Sequence, residues 1–129
     1  FLPEHKNTAL DAARKSIVLL RNKNILPLNL NKGKRILVTG PNSNNHSVLG
    51  DWVFAQPEEN VITVYEGIKS IGESKGFKID FFDSNEDIRS ISEKDIISTV
   101  KYAKNYDQII VVVGDNSQRN LKKNRGCVC

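Results

Sequence analysis

The stretch RILVTGPN, residues 35–42, predicts the type of fold more clearly than any other part of the sequence. Residues 36–38 are Ile, Leu and Val, and such an unbroken apolar run is typical of a strand that is covered on both faces. Gly40 and Pro41 then end the strand sharply. We therefore predict a buried strand of the kind found in parallel sheets.

Two other stretches predict further strands. FKIDFF, residues 77–82, alternates apolar side chains with Lys78 and Asp80. This alternation indicates a strand with one more solvent-exposed face, placed near a sheet edge. QIIVVVGDN, residues 108–116, contains a wholly apolar strand from Ile109 to Val113. The sequence thus predicts three strands, spaced widely enough for a helix between each pair.

The first predicted helix lies in TALDAARKSIVLLRN, residues 8–22. Its apolar residues recur at spacings of three and four, so we expect them to share one helical face: Leu10, Ala13, Ile17 and Leu20. Because Pro27 and Gly33 follow, we expect this helix to stop near residues 22–24.

Two capping boxes predict where the next helices begin. Thr63 with Glu66 marks one start and Ser92 with Asp95 the other, since each hydroxyl can accept from the backbone N–H three residues later. Gly76 is a candidate for the residue just past the end of the earlier helix. The expected buried faces are Val64, Ile68 and Ile71 in one helix, and Ile96, Val100 and Ala103 in the other.

The alternation of helices and strands predicts an α/β fold, a three-layer αβα sandwich with a mostly parallel sheet. Ligands of such sheets bind beyond the carboxyl ends of the strands. Residues 40–42 and 114–116 are two such ends, so we expect them at the functional edge. Three strands leave an open edge, which indicates an incomplete sandwich: either a small stand-alone unit or the first half of a larger domain.

Composition excludes several classes of protein. Of 129 residues, 39% are hydrophobic and 26% charged, which is typical of a globular domain. No apolar run approaches the roughly 18 residues that predict a transmembrane helix, so we expect no membrane partner. The net charge is +4, and the basic residues cluster only near the end, at Arg119, Lys122, Lys123 and Arg125. This cluster fits a solvated tail better than a phosphate site, and without interleaved aromatics it predicts no nucleic-acid partner.

No motif indicates a metal or a cofactor. Cys127 and Cys129 form a lone C-x-C pair, which lacks the second ligand pair of a zinc site. Neither glycine-rich phosphate motif follows the first strand, and Pro41 removes a backbone donor that a phosphate cradle would use. The acidic pair of a response regulator and the G-x-S-x-G elbow of a serine hydrolase are also missing. Residues 45–47, NHS, form a glycosylation sequon of low specificity.

The loop SVLGDWVFAQ, residues 47–56, carries a feature that suits carbohydrate. Trp52 beside Asp51 can hold a sugar, because the indole covers an apolar sugar face while the carboxylate accepts from hydroxyls. The alternative is that Trp52 packs under the loop as a small satellite core.

Five segments in their order resemble a known family. They are TALDAARKSIVLLRNKNILPL, RILVTGPNSN, LGDW, ENVITVYEGIK and AKNYDQIIVVVGDNSQR, and together they resemble the start of the C-terminal α/β sandwich domain of glycoside hydrolase family 3. That family includes β-glucosidases and β-xylosidases. The resemblance implies a leading helix and linker over residues 1–31 and the first part of the sandwich domain over residues 32–129.

The resemblance also implies a reaction, retaining hydrolysis of β-linked glucosides or xylosides. In the family, a TIM-like barrel precedes this domain and carries the aspartate nucleophile, and the substrate lies between the two. Many members supply the glutamic acid/base from the loop after a strand resembling IIVVVGD. Beyond Asp115 this chain contains no Glu, so no catalytic residue is assigned and the chain alone is expected to be inactive.

The sugar-contacting or interface candidates are four residues, Asp51, Trp52, Asp115 and Asn116. The expected partners are a β-glucoside or β-xyloside oligosaccharide and the barrel domain, without a cofactor. The family is compatible with a periplasmic or secreted location. The alternative function is a stand-alone carbohydrate-binding or scaffold module that kept the fold and lost catalysis.

Overall fold

The computed structural model describes residues 2–28, 33–45, 57–85 and 90–114. Within these ranges helices and strands alternate, with a short 3-10 turn at Glu58–Asn60. The elements are α1 (Pro3–Ser16), β1 (Arg35–Thr39), α2 (Val64–Ser74), β2 (Lys78–Phe82), α3 (Glu93–Ala103) and β3 (Gln108–Val111). No helix in this part of the chain is both long and apolar enough to cross a membrane.

The three described strands form one parallel sheet in the order β2-β1-β3. The central β1 pairs Leu37 with Asp80 of β2 and with Ile109 of β3. Because the chain passes from β1 to one neighbour and then crosses over to the other, the sheet reverses its winding direction beside β1. This topology confirms the predicted α/β class and the place of β2 at an edge of the described sheet.

The two crossover helices cover opposite faces of the sheet. Tyr65 of α2 packs on Phe81, with ring centroids 5.1 Å apart, while Tyr102 of α3 stacks on Phe82 at 4.5 Å. Adjacent residues of a strand point to opposite faces, so Phe81 and Phe82 place the two helices on different sides. The result is the predicted three-layer arrangement.

The core lies on the α2 side. Ile36, Val38 and Ile79 are buried there, and half-buried side chains surround them: Tyr65, Ile68, Phe77, Ile110 and Val112. Gly72 brings α2 close to β2, because a Cβ atom at this position would lie 2.6 Å from Cδ1 of Ile79. The missing side chain of Gly72 therefore lets α2 pack closely on β2.

Both predicted capping boxes are confirmed. Thr63 and Ser92 each accept from the backbone N–H three residues later, and Glu66 and Asp95 reach back to the cap. Gly76 follows the C-cap of α2 with a φ of 81°, the left-handed conformation expected for it.

The predicted buried faces of these two helices are partly wrong. In α2 the packed face is Tyr65, Ile68 and Gly72, while Val64 and Ile71 are exposed. The reason is that Tyr65 packs on Phe81 and Gly72 admits Ile79, so the helix faces the sheet with these residues and not with its aliphatic stripe. In α3, Ile96 and Val100 are each 56% exposed and line an open groove instead of a closed core.

The first helix differs most from its prediction. α1 begins at Pro3 and ends at Ser16, and Ile17 is already extended with a ψ of 126°. Pro suits the first helical position, and Arg14 and Lys15 favour the last turn. The β-branched Ile17 and Val18 follow, and they lower helix propensity.

The apolar residues after α1 do not form the expected helical face. Ile17 and Leu20 lie beyond the helix and are exposed, Leu20 to 93%. The chain instead turns at Asn22, whose side-chain oxygen accepts from the backbone N–H groups of Ile25 and Leu26 at 3.0 Å. The domain boundary between residues 31 and 32 falls outside the described residues and stays a prediction.

β3 is shorter and more exposed than predicted. It ends at Val111 and not at Val113, and both of these side chains are exposed. Ile110 and Val112 are half-buried against the core, whereas Ile109 points to the α3 side. The strand is thus apolar on both faces, but only one face is covered in the described part of the chain.

Candidate functional site

The ends of β1 and β3 meet at the carboxyl edge of the sheet. The N–H of Val112 donates to the carbonyl of Thr39 at 2.8 Å, and the N–H of Asn42 donates to the carbonyl of Val112 at 3.3 Å. Asn42 also faces Gly114, because a Cβ atom there would lie 3.0 Å from its Nδ2. We call residues 40–45 and 112–114 together the strand-end site.

Gly40 makes this convergence possible. Its φ is 105°, which favours glycine, and a Cβ atom at Gly40 would lie 2.3 Å from the carbonyl oxygen of Val112. The chain therefore leaves β1 in backbone-to-backbone contact with β3. This contact lies at the carboxyl end of β1, where the winding of the sheet reverses. Ligands of open α/β sheets bind in the crevice at such a point.

Residues 42–45 are all polar in sequence, and all of them except the half-buried Asn44 are buried. Ser43 has no exposed surface and Asn42 is 7% exposed. Ser43 donates to the carbonyl of Gly40 through Oγ at 2.6 Å and through its backbone N–H at 3.1 Å, and Asn45 Nδ2 donates to the carbonyl of Pro41. Such local side-chain bonds allow a polar loop to be buried, because they replace the water that it loses.

The same loop is tied to the start of α2. The N–H of Tyr65 donates to the carbonyl of Ser43 at 2.8 Å, and the hydroxyl of Thr63 donates to Oδ1 of Asn44 at 2.9 Å. Thr63 is also the N-cap of α2, where it accepts from Glu66 at 3.2 Å. One threonine therefore joins the loop and the helix, and the strand-end site is held from two sides.

The burial of Asn45 bears on the sequon at residues 45–47. The Asn45 amide nitrogen, the atom that a glycan would modify, donates to Pro41 inside the loop. The folded chain therefore does not present this amide to a glycosyltransferase.

The sequence candidates fall into two groups. The two predicted strand ends, residues 40–42 and Gly114, are brought together as expected. The other candidates lie outside the described residues: Asp51, Trp52, Asp115 and Asn116, together with the basic cluster and the two cysteines. Their placement stays a prediction.

Sequence reasoning missed the polar interior of the strand-end site. No sequence pattern described above predicted burial of residues 43–45, yet Ser43 and Asn45 are buried. A usable signal was present, because Asn and Ser directly after Gly-Pro are the residues whose side chains bond to their own backbone in turns.

An apolar groove opens next to the strand-end site. It has a volume of about 440 Å³ and separates α3 from the sheet. We call it the α3 groove; it is lined by Thr39, Gly40, Pro41, Ser84, Ile91, Ile96, Thr99, Val100, Ala103, Ile109 and Val111. The Ser84 hydroxyl is buried beside it and has no hydrogen-bond partner among the described residues. Two residues of the strand-end site, Gly40 and Pro41, thus belong to both features.

A charged and aromatic cluster lies at the opposite edge of the sheet. Arg35 pairs with Asp80 at 3.3 Å and lies over the ring of Tyr106, 4.5 Å from its centroid. Burial raises the pKa of the Tyr106 hydroxyl, which keeps the phenol protonated. Because Asp107 also accepts from the backbone N–H of Arg35 at 2.9 Å, the cluster fastens the start of β1 to the start of β3. Its role is structural.

The strand-end site offers hydrogen bonding and not acid–base chemistry. Residues 40–45 and 112–114 contain no ionisable side chain. In the described part of the chain, no three His, Cys, Asp or Glu side chains are grouped to hold a metal ion. Such a site can form one wall of a ligand pocket.

Comparison with known proteins identifies a matching family and similar enzymes. Residues 17–125 match the family model described as "Glycosyl hydrolase family 3 C-terminal domain". A β-xylosidase of Formosa agariphila is 34% identical over 122 residues, which cover 88% of this chain and 16% of that protein. A periplasmic β-glucosidase of Salmonella typhimurium is 30% identical over 131 residues, covering 87% of this chain and 17% of that protein.

A solved structure resembles the fold as well. The crystal structure of a β-glucosidase from Listeria innocua in complex with glucose matches 91% of this chain with a TM-score of 0.71 and 26% identity. The chain covers 15% of that enzyme. It thus spans about one sixth of the length of the relatives it matches.

Proposed function

The chain belongs to the glycosyl hydrolase family 3 C-terminal domain family, and on this premise we propose that it forms one wall of the sugar site of a β-glycosidase. The proposed substrate is a β-linked glucoside or xyloside, the two sugars named among its relatives. The wall is the strand-end site, and the larger enzyme supplies the remaining groups.

One observation carries the proposal most strongly. Gly40, Asn42 and Gly114 converge where the winding of the sheet reverses, and the loop that holds Gly40 and Asn42 is buried and hydrogen-bonded to the start of α2. A sugar site needs hydrogen-bonding groups that are fixed before the ligand arrives, because ordering them on binding would cost affinity. The strand-end site would fix the groups that continue from it along the chain, since its own buried polar groups are bonded within the site.

The residues that continue from this site are the proposed sugar contacts. Asp115 and Asn116 follow Gly114 directly, and Asp51 and Trp52 come shortly after residue 45 in the sequence. Carboxylate and amide groups would bond sugar hydroxyls while the indole covers an apolar sugar face. These roles rest on sequence position and on the family.

The proposed reaction of the whole enzyme is retaining hydrolysis. One carboxylate attacks the anomeric carbon, and a second protonates the leaving oxygen and then activates water. We place the nucleophile in a barrel domain that packs against this one. On this proposal the chain by itself binds sugar weakly and does not hydrolyse aryl β-glycosides.

Titration of the ¹⁵N-labelled chain with D-glucose and D-xylose, followed by NMR, tests the proposal. We expect saturable shifts at the amides of Gly40, Asn42 and Gly114, with affinity in the millimolar range because only one wall is present. Sorbitol, which has similar hydroxyls but no ring, is the matched control and should produce none. Shifts that do not saturate, or that sorbitol produces equally, would reject the strand-end site as a sugar site.

A further inference from the structure

Asn42 lies at the centre of the strand-end site but is too deeply buried to act mainly as a sugar ligand. It is 7% exposed, and its backbone N–H is committed to the carbonyl of Val112 at 3.3 Å. Its side-chain amide is turned toward Gly114. A buried side chain that faces a neighbouring strand end affects a ligand through that strand and not by direct contact.

The fit between Asn42 and Gly114 is specific. A Cβ atom at Gly114 would lie 3.0 Å from Nδ2 of Asn42, and no other atom outside the chain neighbours lies within 4 Å of it in the described structure. The backbone of Gly114 does not itself require glycine, because its φ is not in the left-handed region. The absence of a side chain at Gly114 therefore serves to admit the Asn42 amide.

The contact between Asn42 and Gly114 lies where it can affect ligand binding. Gly114 lies three residues beyond the end of β3 at the carboxyl edge, and ligands of such sheets bind directly beyond that edge. Small displacements of groups that position a ligand have large effects on its binding and reaction.

We propose that Asn42 is a positioning residue, and that its contact with Gly114 fixes the direction in which the chain leaves β3 toward the sugar. This inference rests on the proposed function for its effect on sugar binding. The structural part of the inference, which is the coupling of Asn42 to Gly114, can be measured without any ligand.

A double-mutant cycle measures that coupling. Gly114→Ala should lower the urea midpoint of the chain, because the new methyl group presses on the Asn42 amide. In an Asn42→Ala background the same change should cost nothing further, since the amide is gone. Gly67→Ala is the matched control: its nearest contact would be 3.8 Å away on Ile62, so it should add independently to Asn42→Ala.

Sugar affinity is the second readout. In chains that bind D-glucose, we expect Asn42→Ala and Gly114→Ala each to weaken binding about tenfold, and the double variant to be no weaker than either. Unchanged affinity in a folded Asn42→Ala chain would overturn the positioning role while the proposed function stands. If the unaltered chain does not bind glucose, the proposed function fails. Independent effects of the two substitutions on the urea midpoint would reject the coupling in either case.

Discussion

Gly40 touches the backbone of Val112 so closely that a Cβ atom at Gly40 would lie 2.3 Å from the Val112 carbonyl oxygen. The obstacle is backbone, which cannot swing aside as a flexible side chain can. The contact joins the ends of β1 and β3, on which the proposed site depends.

We expect Gly40→Ala to destabilise the chain by roughly 3 kcal/mol or more, since backbone strain of about 1–3 kcal/mol adds to a steric clash. Gly33→Ala is the matched control. Gly33 also has a positive φ, of 91°, but no atom of the described residues lies within 4 Å of its Cβ position, so only the strain should appear. Urea unfolding of both variants measures the difference. Equal losses would show that the contact with Val112 contributes nothing.

A second pair of glycines separates helix propensity from packing. Gly67 and Gly72 both lie in α2, but a Cβ atom would lie 3.8 Å from its nearest contact at Gly67 and 2.6 Å from Ile79 at Gly72. We expect Gly67→Ala to stabilise the chain by up to about 1 kcal/mol and Gly72→Ala to destabilise it. Thermal unfolding tests this, and stabilisation by both changes would contradict the close packing of α2 on β2.

The capping box of α3 predicts a pH dependence. Hydrogen bonds from the backbone and then the side chain of Ser92 lower the pKa of Asp95 below its ordinary value of 3.8. Because the folded pKa is the lower one, the stabilising contribution is present above the unfolded pKa and is lost as the pH falls through the folded pKa.

NMR titration of the Asp95 carboxyl group measures this effect. Ser92→Ala removes the side-chain hydrogen bond and keeps the backbone one, so it should raise the pKa of Asp95 part of the way toward 3.8 and remove the matching part of the acid dependence of stability. Ser98→Ala, an exposed change within the same helix, should leave the pKa of Asp95 unaltered. A pKa of Asp95 that does not respond to Ser92→Ala would refute the contribution assigned to the Ser92 hydroxyl.

Local patterns predicted the elements of this fold well. The unbroken Ile-Leu-Val run became the buried β1, and the Thr63 and Ser92 caps formed where expected, because these signals depend on neighbouring residues alone. The sequence predicted a mostly parallel sheet but not the order of its strands, since nothing in the three strand segments indicates which one is central.

The wrong predictions concern which side chains are buried, because burial depends on distant parts of the chain. Leu20 continued a helical stripe in sequence, yet α1 ends at Ser16 and nothing in the described structure buries this residue. Val100 has the spacing of a core residue but lines the open α3 groove. Ser43 is the opposite case, a residue of a polar loop that is fully buried. Its burial is possible because its hydroxyl and its backbone N–H are hydrogen-bonded within the loop.

The exposed apolar side chains of the α3 groove predict self-association of the chain. Burial of apolar surface is worth about 25 cal/mol per Å², so covering the groove with a second molecule is favourable. We expect sedimentation to show association that rises with concentration and that Val111→Lys weakens. Ile97→Lys is the matched control, since Ile97 is 59% exposed against 58% for Val111 but does not line the groove. A strict monomer, or equal effects of the two lysines, would contradict this.

The central claim is that the strand-end site forms a wall of a β-glycoside site, and a chimaera with the Listeria innocua enzyme tests it most directly. Its aligned segment would be replaced by this chain and the product crystallised with glucose, as that enzyme has been. We predict that glucose lies within about 4 Å, the usual contact distance, of the strand-end site or of Asp51, Trp52, Asp115 or Asn116. Glucose bound in the same enzyme with no atom of the transplanted chain within that distance would contradict the claim.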